Sequence, residues 1–285
     1  MATTPSTAPE YVLGTGDDEL SRLAFQHRLW ADAAHAAWRS ARIRAGARVL
    51  DVGCGPGAAT LDLGELVGPT GAILGVDESA PFIQHLNAQA AVRGLRHARG
   101  VTGDVMSLQT CAGVDADFFD AAYARWVLCF VPRPGDVVVG VARALKPGGR
   151  FVVHDYFNYE AMKVAPRGTP FADLYEKIVR ATGESWRGRG GDPDIVGRLP
   201  TLMRAAGFVN ISIAPLQRMA FPRDTMFQWV GSWWRNYVPK LATMNLITTG
   251  ERDEFIAGWE AFARSPDSWA LMPCVFEVIG EKGAR

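Results

Sequence analysis

The segment Val49-Leu50-Asp51-Val52-Gly53-Cys54-Gly55-Pro56-Gly57 constrains this chain more than any other. Residues 48–53 read as an apolar run ending in glycine, the pattern of a strand buried on both faces of a parallel sheet. Three glycines at alternate positions let the backbone turn tightly out of that strand and approach a ligand closely. A helix predicted over 58–67 follows at once, so its N–H groups and the positive end of its dipole face the same ligand. A bare strand-to-helix turn is the alternative. It explains less, because three glycines weaken a fold unless something needs the space.

The rest of the chain repeats the strand-then-helix order. Strands are predicted over 72–77, 100–104, 118–124, 150–155, 209–214 and 270–279, and helices over 80–92, 137–145, 171–180 and 195–206. Lys146-Pro147-Gly148-Gly149 reads as the turn into the fifth strand. Repeated β–α units with right-handed crossovers give a doubly wound α/β sheet. Residues 1–10 read as a flexible arm, and 17–44 as one or two amphipathic helices. The domain plan is therefore an arm with cap helices over 1–44, a core over 45–216, a helical lid over 217–267 and the last strand of the core over 268–285. The insertion before the last strand exceeds an ordinary connection, which favours a lid. Residues 157–193, rich in Gly, Arg and Pro, read as loop around one helix.

Charge narrows the partners. Lys plus Arg and Asp plus Glu number 30 each, so the basic footprint of a nucleic-acid binder is missing. Four dispersed cysteines with no CxxC pair argue against structural zinc and a disulfide framework. The first ten residues carry neither a basic n-region nor an apolar h-region, and no apolar run is long enough to span a membrane. These features predict a cytoplasmic protein with a small-molecule partner, no membrane or nucleic-acid partner and no metal.

The glycine spacing is GxGxG, not the GxGxxG of dinucleotide sites, and an acid, Asp51, precedes it. The segment resembles the first motif of class I (Rossmann-like) S-adenosylmethionine-dependent methyltransferases of small molecules. Gly75-Val76-Asp77-Glu78, Gly103-Asp104-Val105 and the Lys146–Gly149 turn match further motifs of that family in order. The resemblance implies a seven-stranded, mostly parallel sheet with an antiparallel last strand. It implies S-adenosylmethionine as cofactor, its methionine part held by Gly53, Gly55 and Gly57 and its amino group engaged by Asp51. Asp77 and Glu78 would take the ribose hydroxyls, and Asp104 with the Val105 N–H the adenine. Asp77 could instead cap the following helix, and Gly-Asp is also a common turn. Tyr11 and Gln26 resemble in type and placement the N-terminal cap that covers the cofactor in this family.

Four groups bear on the acceptor. Arg125 and Trp126 end the fourth strand, where ligands of such sheets sit, so Arg125 is a candidate for both cofactor binding and catalysis. His154 ends the fifth strand and is the candidate general base. Tyr156, just beyond it, and Trp126 are candidate acceptor contacts. Trp229 and Trp233 lie on an apolar helical stripe with Met226 and Tyr237. Core packing also accounts for such a stripe and for Trp126, and a histidine satisfied by its neighbours accounts for His154. The Asn/Asp-Pro-Pro-Tyr motif of base and glutamine methylases is missing, which argues against a planar exocyclic nitrogen as acceptor. The expected reaction is in-line transfer of a methyl group to oxygen, nitrogen or carbon of an apolar or aromatic small molecule. A nicotinamide oxidoreductase, a repurposed S-adenosylmethionine-binding protein and a macromolecular methylase are the rivals. An exposed aromatic face on the lid would point to a homodimer.

Overall fold

Strand β1 (Arg48–Val52) lies in the middle of the sheet, parallel to both neighbours, with every residue after Arg48 buried. The computed structural model describes residues 16–284. Beside β1 lie β2 (Ala72–Asp77) and then β3 (Ala98–Thr102) on one side. On the other side follow β4 (Phe119–Arg125), β5 (Leu145–Tyr156), β10 (Val275–Lys282) and β7 (Phe208–Pro215). Only β10 is antiparallel to its neighbours. This is the expected seven-stranded α/β sheet.

Helices cover both faces. On one face α1 (Asp17–Ser40) and α2 (Ala58–Val67) bury Trp38 and Leu63 against Val49, Tyr123 and Val152. On the other, α4 (Pro134–Ala144), α5 (Pro170–Arg187) and α6 (Leu199–Ala205) join α7 (Thr225–Thr243) and α8 (Thr249–Phe262) in the core that holds Phe151 and Val153. Alternation along β5 therefore sends Val152 one way and Val153 the other. Helix α1 reaches beyond its own face: Trp30, fully buried, meets Trp126 and Trp229 edge-on at 5.5 and 5.6 Å. One helix thus spans from the sheet to the rim.

Several boundaries differ from expectation, each for a physical reason. The N-terminal region is a single helix. Strand β3 ends at Thr102, which leaves Gly103 and Asp104 beyond its carboxyl end. The Lys146–Gly149 turn is absorbed into β5 as an irregularity opposite Phe119–Ala121, with Gly148 at φ +78°. Helix α5 is longer than the sequence suggests because Tyr175 and Trp186 are buried along it, and tertiary packing overrides its Gly and Arg content. The expected last strand is two strands. β9 (Trp269–Leu271) pairs with β6 (Lys163–Ala165) and β8 (Met219–Ala220) in a second small sheet that the sequence does not announce. Pro273 has no N–H to donate, and the ladder resumes only at Val275. The aromatic residues of α7 and α8 face inward: Trp229, Trp234, Phe255 and Trp259 are all buried. These two helices therefore show no exposed aromatic face of the kind that would point to a homodimer. Among the described residues no helix is long and apolar enough to cross a membrane.

The turn after β1 makes a prediction about stability. Gly57 holds φ +89°, and a Cβ there would stand 2.2 Å from Leu86 Cδ1. Gly55 holds φ +54° with open space around it. Gly57→Ala should cost about 2–4 kcal/mol through combined strain and overpacking, and Gly55→Ala only about 1–2 kcal/mol. Urea unfolding of both variants checks this, and equal losses would show that packing against Leu86 is unimportant.

Candidate active site

The glycine turn is stapled by hydrogen bonds of its own backbone. The N–H groups of Gly53 and Cys54 both donate to the Val76 carbonyl, at 2.8 and 3.1 Å, and the Gly55 N–H donates to Asp77 Oδ2 at 2.8 Å. Gly53 and Gly55 hold φ +64° and +54°, the left-handed region that favours glycine. A Cβ on Gly53 would lie 2.5 Å from Val127 Cγ2, whereas one on Gly55 would meet nothing within 4 Å. Gly55 therefore faces open space, and that space is a cavity of about 660 Å³ along the carboxyl ends of β1, β2 and β4.

Three carboxylates line the end of the cavity beside the turn. Asp77 Oδ1 accepts from the Ser79 N–H at 2.9 Å, so it fixes two loops at once. The helix cap itself is Ser79, whose Oγ accepts from Phe82 at the start of α3 (Ala80–Val92). Burial pushes the Asp77 carboxyl up, while the two backbone donors hold it down. Burial also raises Glu78, with Asp77 and Asp104 adding repulsion. Asp104 accepts from the Met106 N–H at 2.8 Å. Acceptors converging without a cation suit a ligand rich in hydroxyl and amine donors. Among the described residues no group of three His, Cys, Asp or Glu is placed to hold a metal ion.

Asp51 and Arg125 lie deeper. Asp51 is 2% exposed and accepts from Thr60 Oγ1 at 2.6 Å. Burial pushes its carboxyl up to about 6, against the Thr60 bond and the Arg125 charge. Arg125 donates through Nη2 to His27 Nδ1 at 2.9 Å, and its Nη1 is buried without a hydrogen-bond partner. A buried guanidinium N–H left unpaired is costly. A carboxylate arriving beside Asp51 would satisfy it, and an ammonium would satisfy Asp51, so the residues present fit the amino-acid end of S-adenosylmethionine.

The remainder of the cavity is aromatic. Trp126 takes φ +53°, unusual for so large a side chain, held by its N–H donating to the His154 carbonyl at 2.9 Å. Its ring stacks on Tyr156 at 6.2 Å and on Trp229 at 5.9 Å. Trp233, stacked on Tyr237 at 4.4 Å, lines the same space. Gln26 on α1 accepts from the Trp229 indole at 2.9 Å and from Arg22 at 3.1 Å, which ties α1 to α7 across the opening.

The structure thus brings together on one cavity Gln26, Asp51, Gly53, Gly55, Asp77, Glu78, Asp104, Val105, Arg125, Trp126, Tyr156, Trp229 and Trp233. Gly57 stands behind the turn, against Leu86. Tyr11 lies outside the described residues. His154 is not brought to the cavity. Strand alternation places it with Val152 and Tyr123 on the face under α1, 1% exposed, its Nδ1 3.2 Å from the Tyr123 hydroxyl and its Nε2 3.5 Å from Glu277. Burial lowers its pKa, so it is a neutral packed histidine. Its neighbour Asp155 points the other way but accepts from the N–H groups of Leu128, Cys129 and Tyr156. Sequence reading missed Arg22, Tyr159, Met162, Trp186 and Arg189, which also line the cavity. The last four belong to the stretch read as mostly loop, and only the aromatic content of that stretch signalled them.

Residues 50–153 match the family model described as a methyltransferase domain. A demethylmenaquinone methyltransferase of Anoxybacillus flavithermus is 29% identical over 198 residues, 64% of this chain and 80% of the relative. A nocamycin O-methyltransferase of Saccharothrix syringae is 36% identical over 111 residues, 38% of this chain and 37% of that one. A solved geranyl diphosphate methyltransferase in complex with S-adenosylmethionine shares the fold, with a TM-score of 0.55 and 18% identity over 95% of this chain and 94% of its own.

Asp51 makes a testable trade. A carboxyl whose pKa is higher folded than unfolded holds its proton more tightly in the folded state. Its charge therefore costs stability as pH rises from the ordinary 3.8 through about 6. Asp51→Asn should stabilise the ligand-free protein by roughly 1–2 kcal/mol at pH 8 and by nothing near pH 4, while weakening S-adenosylmethionine binding at least about tenfold. Thermal unfolding at both pH values and calorimetry check it. Stability unchanged at pH 8 would show that the charge is not strained.

Proposed function

We propose that this chain is a class I S-adenosylmethionine-dependent methyltransferase and that it methylates an apolar or aromatic small molecule whose attacking atom needs no proton removed by the protein. One observation carries this reading. Away from the glycine turn the cavity is walled by Trp126, Tyr156, Tyr159, Trp186, Trp229 and Trp233, with neither a carboxylate nor a histidine among the described lining residues there. Burial holds the Tyr156 and Tyr159 hydroxyls far above their ordinary range, so they stay protonated and can donate but not act as bases. Large, rigid ring faces suit a flat or greasy acceptor. The names of the demethylmenaquinone and nocamycin O-methyltransferases support an acceptor of this size class.

Bound S-adenosylmethionine would supply a sulfonium methyl carbon already activated for in-line attack by an acceptor oxygen, nitrogen or carbon. What the chain adds is orientation and exclusion of water. Asp51 and Arg125 would hold the amino-acid end, Gly53 and Gly55 the space for it. Asp77 and Glu78 would accept from the ribose, Asp104 and the Val105 N–H would meet the adenine, and Gln26 would help α1 close over both. Arg125 is then a binding residue, not an acid or base. Trp126 would separate the two halves, with the acceptor lying against it and against Trp229, and residues 217–267 would act as the lid.

Calorimetric titration with S-adenosylmethionine and S-adenosylhomocysteine, with NADH as control, should give micromolar binding of the first two only. Turnover of phenolic and related apolar acceptors should then show a kcat–pH midpoint that follows each acceptor's own pKa. A midpoint fixed across acceptors would establish a protein base and overturn this reading. Trp126→Ala should raise the acceptor KM about tenfold while leaving S-adenosylhomocysteine affinity within about threefold.

A further inference from the structure

The reading of Arg125 as a contact for the cofactor carboxylate leaves one arrangement behind it unexplained. His27 of α1 is 6% exposed and sits between two partners. Its Nδ1 is 2.9 Å from Arg125 Nη2, and its Nε2 is 2.9 Å from Asp62 Oδ2 on α2. A guanidinium is only a donor, so Nδ1 must carry a free lone pair. The one ring proton of a neutral histidine then sits on Nε2 and is donated to Asp62. Both bonds exist only in this tautomer, and protonation of Nδ1 would replace an acceptor by a donor facing Arg125. Burial lowers the His27 pKa ahead of the Asp62 hydrogen bond, which raises it, and the neutral form results. For Asp62, burial alone would raise the pKa, yet the bonds from His27 and from His35, 3.5 Å away, bring it below the ordinary carboxylate value.

Resting on the methyltransferase reading, we propose that His27 and Asp62 are positioning residues: they anchor one nitrogen of Arg125 so that the other, Nη1, is presented to the carboxylate of the cofactor's amino-acid end. The geometry supports this in three ways. Arg125 Nη1 is buried and unpartnered, which marks a site built to receive an acceptor. Arg125 has a long, flexible stem; its guanidinium also lies over the Trp126 ring, 5.1 Å from Cζ, and beside the Tyr123 hydroxyl. The face contact limits tilt, and the His27 bond to Nη2 adds a restraint in the plane. Finally, the three residues come from three elements, α1, α2 and β4. The anchor forms only when α1 is seated, so a seated cap helix and an ordered carboxylate contact are one event.

The test compares two probes of the same pocket by calorimetry. S-adenosylhomocysteine carries the amino-acid end, and 5′-methylthioadenosine lacks it but keeps the adenine and ribose. Wild type should prefer S-adenosylhomocysteine, and Arg125→Ala should erase that preference; absence of the preference would overturn the underlying reading of the site. His27→Ala should weaken S-adenosylhomocysteine about tenfold and leave methylthioadenosine within about twofold. His27→Asn, whose amide oxygen can accept from Arg125 near the place of Nδ1, should recover most of the loss. An unchanged preference in His27→Ala, equal loss of both probes, or failure of the asparagine to rescue would each overturn the positioning role while the Arg125 contact stands.

Discussion

The close approach of the 53–57 backbone to Val127 on one side and Leu86 on the other is the constraint on which the rest of the site depends. Side chains at Gly53 and Gly57 would occupy space those residues already fill. Because the turn is wedged and its N–H groups are committed to Val76 and Asp77, the backbone around Gly55 is fixed by the protein's own bonds. The same wedge sets Asp51 at the foot of the turn and Asp77 across it. On the proposed function, cofactor recognition is thus written mainly in backbone geometry, with carboxylates placed by it, and a turn so fixed spares the ordering cost that a mobile loop would add.

Helix α1 is the second organising element, and it does unlike things along its length. Its last turns are core: Trp38 packs on Tyr123 at 5.5 Å and is 1% exposed. Its middle is rim. Trp30 closes on Trp126 and Trp229, Arg218 donates to the Leu29 carbonyl and to Asp32, and Gln26 takes the Trp229 indole. One continuous helix therefore ties the sheet, the cofactor end and the aromatic roof together. Pulling α1 away would strip contacts from all three.

How much of this is legible in the sequence follows from how local each signal is. The alternation of strands with helices and the glycine turn are carried by contiguous patterns and are found as read, and the antiparallel last strand implied by the family resemblance is β10. The carboxylates at positions 51, 77 and 104 fall at strand ends and so reach the cavity. His154 also falls at a strand end, but strand alternation turns it to the face under α1, and one residue of register decides between those outcomes. The Gly and Arg content of 157–193 predicts loop around one short helix and hides Tyr159 and Trp186, whose burial is set by residues far away in the chain. Arg125 was legible as a site residue. Its anchor was not, since His27 and Asp62 lie 35 positions apart and no local pattern joins them.

The antiparallel last strand has a consequence for how such a protein can diversify. Pro215 at the end of β7 and Phe276 at the start of β10 are register partners in the ladder, so the 216–274 insertion leaves and re-enters the sheet at adjacent positions. The sheet itself brings those ends together, and the closure penalty grows only slowly with insert length. That insertion contributes Trp229 and Trp233 to the cavity and none of the residues around the glycine turn. On the proposed function, the share of the acceptor wall that Trp229 and Trp233 supply is therefore hung between two neighbouring strands, exchangeable as a cassette while the half beside the glycine turn stays as it is.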